Sequence, residues 1–212
     1  MKGKTARIVS FTVPGLFLAV VFCFILYYLD PSLISFRQQP LFLTDKFFLH
    51  SYMGFPGGMA GYLSLFVTQF FYSKLAGSIL LVAVAGIVGF LSYQLLIRFF
   101  SRGTSFFLQF VPVYLFIILH SHYEYDLRAD VTLVFAFTLA IAYHKIITGH
   151  PAFRLIFLIL ADSLLFWFFG TMAVFIFGTV AIASEICCKR GRFFRVPVFF
   201  QLLVCLSLVI MI

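Results

Sequence analysis

The sequence predicts an all-α fold: a polytopic transmembrane helical bundle of about seven spans, with an interfacial helical segment between the first two. Three observations predict it. Hydrophobic residues make up 63% of the 212 residues and charged ones 10%, against about 25% charged in an average soluble domain. The apolar residues fall in runs long enough to cross a bilayer, which takes about 20 residues at 1.5 Å rise each. The basic residues fall between those runs.

Lys2, Lys4 and Arg7 precede the first run, residues 8–29. A signal peptide has a shorter core and a small-residue cleavage site, so this span is read as retained. Asp30-Pro31 ends it. Residues 30–56 mix Asp30, Arg37, Gln38, Gln39, Asp45, Lys46 and His50 with Leu41, Phe42, Leu43, Phe47, Phe48 and Leu49. That mixture predicts a short amphipathic helix lying in the membrane interface. Pro56-Gly57-Gly58 breaks it. Gly57, Gly61, Ser64 and Thr68 then form a small-residue stripe of the kind that lets helices approach closely in lipid. The interfacial segment as a whole covers 30–74.

The later spans are read at 75–99, 104–119, 127–147, 152–168, 171–186 and 196–212, all within one transmembrane domain covering 1–212. Span 104–119 is short, with a bend expected near Pro112. Gly149-His150-Pro151 and Phe169-Gly170-Thr171 are turns, and Lys189-Arg190-Gly191-Arg192 with Arg195 is a basic loop.

With the N-terminus in the cytoplasm, eleven of the fifteen basic residues lie inside; Arg37, Lys46, Lys74 and Arg128 lie outside. This satisfies the positive-inside rule. Five of the seven acids take the other side: Asp30, Asp45, Glu124, Asp126 and Asp130 are outside, Glu185 is inside and Asp162 is within the membrane. Carboxylates contribute little to insertion, so their bias hints at outer-face chemistry. The net charge of +8 is thus spent on orientation, and with no basic helix or aromatic-basic module nucleic acid is not a partner. The four cysteines form no C-x-x-C pattern or disulfide framework. No P-loop, dinucleotide fingerprint or nucleophile elbow occurs.

The densest polar run is His120-Ser121-His122-Tyr123-Glu124-Tyr125-Asp126. In an extended chain His120, His122, Glu124 and Asp126 share one face; in a helix His120/Glu124 and His122/Asp126 are neighbours. Either arrangement is a candidate metal set, with oxygen ligands favouring Mg²⁺ or Mn²⁺. The bland alternative is an interfacial loop whose aromatics anchor helix ends. In residues 37–50, Asp45 is a candidate general base and Arg37 a candidate holder of an anionic group. There the bland alternative is snorkelling basic residues. Asp162, inside a span, is expected to face the bundle interior, with Arg128 or the His120/His122 pair as partner. Arg37, Arg128, Asp162 and His50 make up the substrate-binding candidates.

Two resemblances follow from these strings. Residues 38–48 (QQPLFLTDKFF), 56–63 (PGGMAGYL), 68–72 (TQFFY) and 122–126 (HYEYD) resemble, in this order, a bacterial family of multi-pass inner-membrane proteins of unknown function. The resemblance implies longer members with further spans and a soluble C-terminal part, so the chain reads as a truncated member or an N-terminal fragment. The order of one span, an acid-bearing outer loop, two spans and an acid-x-acid loop also resembles the GT-C class of glycosyltransferases. That resemblance implies Asp45 as base, with Asp30 as the alternative, and Glu124 and Asp126 ordering the acceptor or binding metal. It also implies Arg37 or Arg128 on the phosphate of a polyprenyl-phosphate sugar drawn from the bilayer. The expected function is an inner-membrane protein with such a transferase-like module. The alternatives are a non-catalytic membrane subunit and a proton-coupled transporter using Asp162 and the histidines.

Overall fold

The computed structural model describes residues 2–33, 42–122, 126–146, 151–188 and 195–211, with side chains over 12–33, 42–122, 126–146, 152–187 and 197–205. The described residues form helices and turns and no strand. This is what a lipid solvent demands of an open chain, because a helix satisfies its backbone groups internally. Five helical stretches are long and apolar enough to cross a membrane: Thr12–Leu29, Lys74–Leu96, Arg102–His120, Arg128–Ile146 and Ala152–Phe169. The protein is an integral membrane protein. The sequence predicts about seven spans; the shorter apolar helix Thr171–Cys187 covers only about 25 Å at 1.5 Å per residue.

The chain divides into two compact units, one of Met1–Phe42 with Ser64–Leu127 and one of Leu43–Leu63 with Arg128–Ile212. The first unit contains α1 (Lys2–Phe24), which passes into a π-helical turn, Ile25–Leu29. Pro31 disfavours an α conformation at the residue before it. Asp30 accordingly turns to φ 41°, and its N–H closes the turn onto the Ile25 carbonyl at 3.2 Å. Its carboxylate accepts from Ser32 Oγ at 2.6 Å and pairs with Lys74 Nζ at 3.2 Å. The ion pair ties the end of the first span to the start of the next.

Within α3 (Gly58–Thr68), the residues from Ser64 onward belong to this first unit. A 3₁₀ turn (Gln69–Tyr72) leads to α4 (Lys74–Leu96). The expected bend near Pro112 appears as a break: α5 (Arg102–Leu108) stops and α6 (Phe110–His120) restarts one residue later. Pro112 has no N–H to donate to Leu108, and its ring crowds that carbonyl. The core of the unit is Val21, Ile25, Leu29, Phe71, Leu81, Ala85, Val113, Phe116 and Leu127.

The second unit holds α2 (Lys46–Met53), the residues of α3 up to Leu63, α7 (Arg128–Ile146), α8 (Pro151–Phe169), α9 (Thr171–Cys188) and α10 (Arg195–Met211). Helix α9 packs against each of α7, α8 and α10. Ala136 and Ala140 of α7, Ala161 of α8, and Ala173 and Ala181 of α9 are fully buried. Small residues at these contacts let helix backbones approach in a medium that supplies no hydrophobic drive of its own. Helix α2 buries none of its residues and exposes Phe47, as an element lying on a surface does.

Candidate functional site

The Pro56-Gly57-Gly58 break positions α2. Gly57 adopts φ 81° and its amide donates to the Trp167 carbonyl at the end of α8, at 2.9 Å. A Cβ on Gly57 would lie 3.3 Å from Cα of Gly170, itself at φ 84°. The backbone approach therefore pins the α2–α3 corner onto the turn between α8 and α9.

Asp45 occupies the N-cap position of α2 in extended conformation. Its carbonyl accepts from the Leu49 amide at 3.1 Å, and its carboxylate makes no capping bond. Asp45, Lys46 and His50 are exposed. Beneath them Phe48, Tyr52, Phe55 and Tyr62 form a ring cluster, with Phe48 and Tyr52 centroids 5.0 Å apart and Tyr52 and Tyr62 6.3 Å apart. Arg128, the first residue of α7, enters the same region. A Cβ on Gly61 would meet its guanidinium at 2.8 Å and the Tyr52 ring at 3.2 Å. The small-residue stripe thus makes room here for side chains. In the first unit, Ser64 Oγ of the same stripe donates to Asp126 Oδ1 at 2.9 Å.

Arg37 and Glu124, with Tyr123 and Tyr125, lie outside the described residues. His120 is buried in the first unit, stacked on Phe116 at 4.1 Å, with Nδ1 2.9 Å from the Phe116 carbonyl. His122 is exposed. Among the described residues no three His, Cys, Asp or Glu side chains group as a metal site would require.

Asp162 faces the interior of its unit, 7% exposed. The hydrogen bond recorded for it comes from Gln201 Nε2 of α10, at 3.1 Å to Oδ1. Gln201 is not among the partners that the sequence suggests for it. Gly178 of α9 permits the pairing, since a Cβ there would fall 2.7 Å from Gln201 Nε2 and 2.8 Å from Cys205 Sγ.

A second buried group is also absent from the sequence-based candidates. Tyr143 of α7 and Arg154 of α8 both donate to Glu185 Oε1 of α9, and all three are buried. Charge placement along the chain makes Arg154 and Glu185 inner-side residues without pairing them. Their positions carry a signal: each lies about one turn from the end of its helix, and consecutive antiparallel helices bring such ends to one level.

Against the first unit's core, α1, α4, α5 and α6 line an apolar cavity of about 380 Å³ whose lining includes Tyr93, Gln94 and Gln109. Its lining residues include no charged side chain.

Residues 4–212 match DUF6057, a family of unknown function. No curated protein matches the chain, and no solved structure does.

Proposed function

The chain belongs to the DUF6057 family, and we propose that it carries a transferase-like module using a lipid-linked sugar at the outer face of the bacterial inner membrane. The observation that carries this reading is Asp45: an exposed carboxylate, committed to no capping bond, on a helix that buries nothing. The same unit holds Arg128 against Gly61 and Tyr52. The orientation rests on the basic residues, eleven of fifteen of which fall on the N-terminal side.

In this reading a polyprenyl-phosphate sugar keeps its tail in the bilayer and its headgroup at the ring cluster. Asp45 takes the proton of an acceptor hydroxyl as that oxygen bonds to the anomeric carbon. The bond from that carbon to phosphate oxygen breaks, and the polyprenyl phosphate leaves with its charge held by Arg128. The resemblance to the GT-C class gives Glu124 and Asp126 the ordering of the acceptor, and His50 lies on the same helix as Lys46.

The test is the glycan profile of outer-surface acceptors in cells carrying Asp45→Asn or Glu124→Gln at wild-type protein level. Loss of a glycan in either supports the reading. Unchanged glycans in both overturn it, and a protein then cross-linking to α2 would favour a non-catalytic subunit.

A further inference from the structure

We propose that Asp162 is a reversible proton-binding site, paired as an acid with the Gln201 carboxamide and exchanging its proton with the cavity beside it. The inference is independent of the outer-face chemistry. Asp162 lies within an apolar span, about 16 Å from Pro151 at one end of its helix and about 10 Å from Phe169 at the other. An ionised carboxylate there is costly without a cation, and none of the described residues places one beside it: the influences on Asp162 are burial and Gln201.

A carboxylic acid and a carboxamide complement one another in a ring. The amide N–H donates to one acid oxygen, and the acid O–H donates to the amide oxygen. The first half of that ring is the 3.1 Å bond from Gln201 Nε2 to Asp162 Oδ1. The two atoms of the second half, Asp162 Oδ2 and Gln201 Oε1, are both buried with no other partner among the described residues. Two acceptors facing no donor are what a proton on Oδ2 resolves. Gln201 is 1% exposed and is held in place by the clearance at Gly178, so the pair is a built feature of the α8–α9–α10 packing.

The proton has somewhere to go. Asp162 and Ser163 are the two polar side chains of an open cavity of about 250 Å³ lined also by Phe166, Val174 and Phe200, and together they can hold a water. On discharge the O–H bond of Asp162 breaks, its electron pair stays on the carboxylate, and the proton passes to a cavity water. Of the elements packed against Asp162, α10 contributes Gln201 and the Cys205 thiol, which is in electrostatic contact with it. Helix α9 contributes Gly178 and Val174, and α8 itself Ser163.

The experiment is labelling of wild-type protein in native membranes with a hydrophobic carbodiimide, the adduct located by peptide mass spectrometry. The carbodiimide adds the elements of a protonated carboxyl across its C=N bond and rearranges to a stable acylurea, so it reports acid rather than anion. The expected result is an adduct on Asp162 that falls at least tenfold as pH is raised through one midpoint, that sodium leaves unchanged, and that Asp162→Asn removes. No adduct on Asp162 at any pH overturns the proposal. So does suppression by sodium at constant pH, which would make the two oxygens ligands of a metal ion instead.

Discussion

The amide of Gly57 donates to the carbonyl of Trp167 at 2.9 Å, although 110 positions separate them in the chain. The bond depends on backbone that only glycine adopts cheaply, since Gly57 and Gly170 sit at φ 81° and 84° and nearly touch. Gly57→Ala and Gly170→Ala should each cost about 1–2 kcal/mol from the left-handed conformation alone. Gly57→Ala should cost more, because its new methyl meets Gly170. Melting of the detergent-solubilised protein checks both, and an unchanged midpoint in Gly57→Ala would refute the contact.

The Tyr143–Arg154–Glu185 group predicts an asymmetric mutant cycle. Glu185→Ala strands a buried guanidinium and should destabilise by about 3–5 kcal/mol. Replacing both charged partners by methionine should cost less than either single change, because no uncompensated charge remains. The four melting curves of the cycle decide it; additive losses would count against a buried pair.

Asp30 sets a pH dependence at the end of the first span. The Ser32 hydroxyl holds its carboxyl below the usual carboxylate range; burial opposes it, and the hydrogen bond and charge of Lys74 add to the lowering. A depressed folded value means that the contribution is fully present above the unfolded value of 3.8. It is lost as pH falls from there through the folded value. Ser32→Ala should move the Asp30 titration, read by carboxyl NMR, up towards 3.8. Lys74→Ala should move it in the same direction, and salt should screen the Lys74 part only.

Asp45 separates folding from chemistry. An N-cap acid ordinarily contributes about 0.5–2 kcal/mol, but this carboxylate caps nothing. Asp45→Asn should therefore leave the melting midpoint within the scatter of surface substitutions, about 0.5 kcal/mol, while abolishing any transfer. A clear loss of stability would assign the carboxylate to folding.

Much of the architecture is legible in single stretches of the sequence. Runs such as 75–99 read as spans because lipid admits only long, internally bonded, apolar segments. Pro112 announces its break because a missing N–H acts locally. The mixed polar and apolar character of residues 42–53 is visible in the alternation of Asp45, Lys46 and His50 with phenylalanine and leucine. These are properties of short stretches, and short stretches state them plainly.

The pairings are not legible in that way. A helix that is apolar nearly all round has no periodicity to say which face turns inward. The sequence therefore puts Asp162 inside the bundle without pointing to Gln201 as its partner. Arg154 and Glu185 read as separate charges near helix ends, and antiparallel packing brings them level with Tyr143. His120 reads as a candidate ligand in a polar run, and nothing in that run announces the stacking of its ring on Phe116. Composition and run length by themselves determined that this protein lives in a membrane, because they set its solvent. Only the tertiary structure decided which polar groups meet, because in lipid the partner of a buried polar side chain is chosen by which helix backbones come close enough to deliver it.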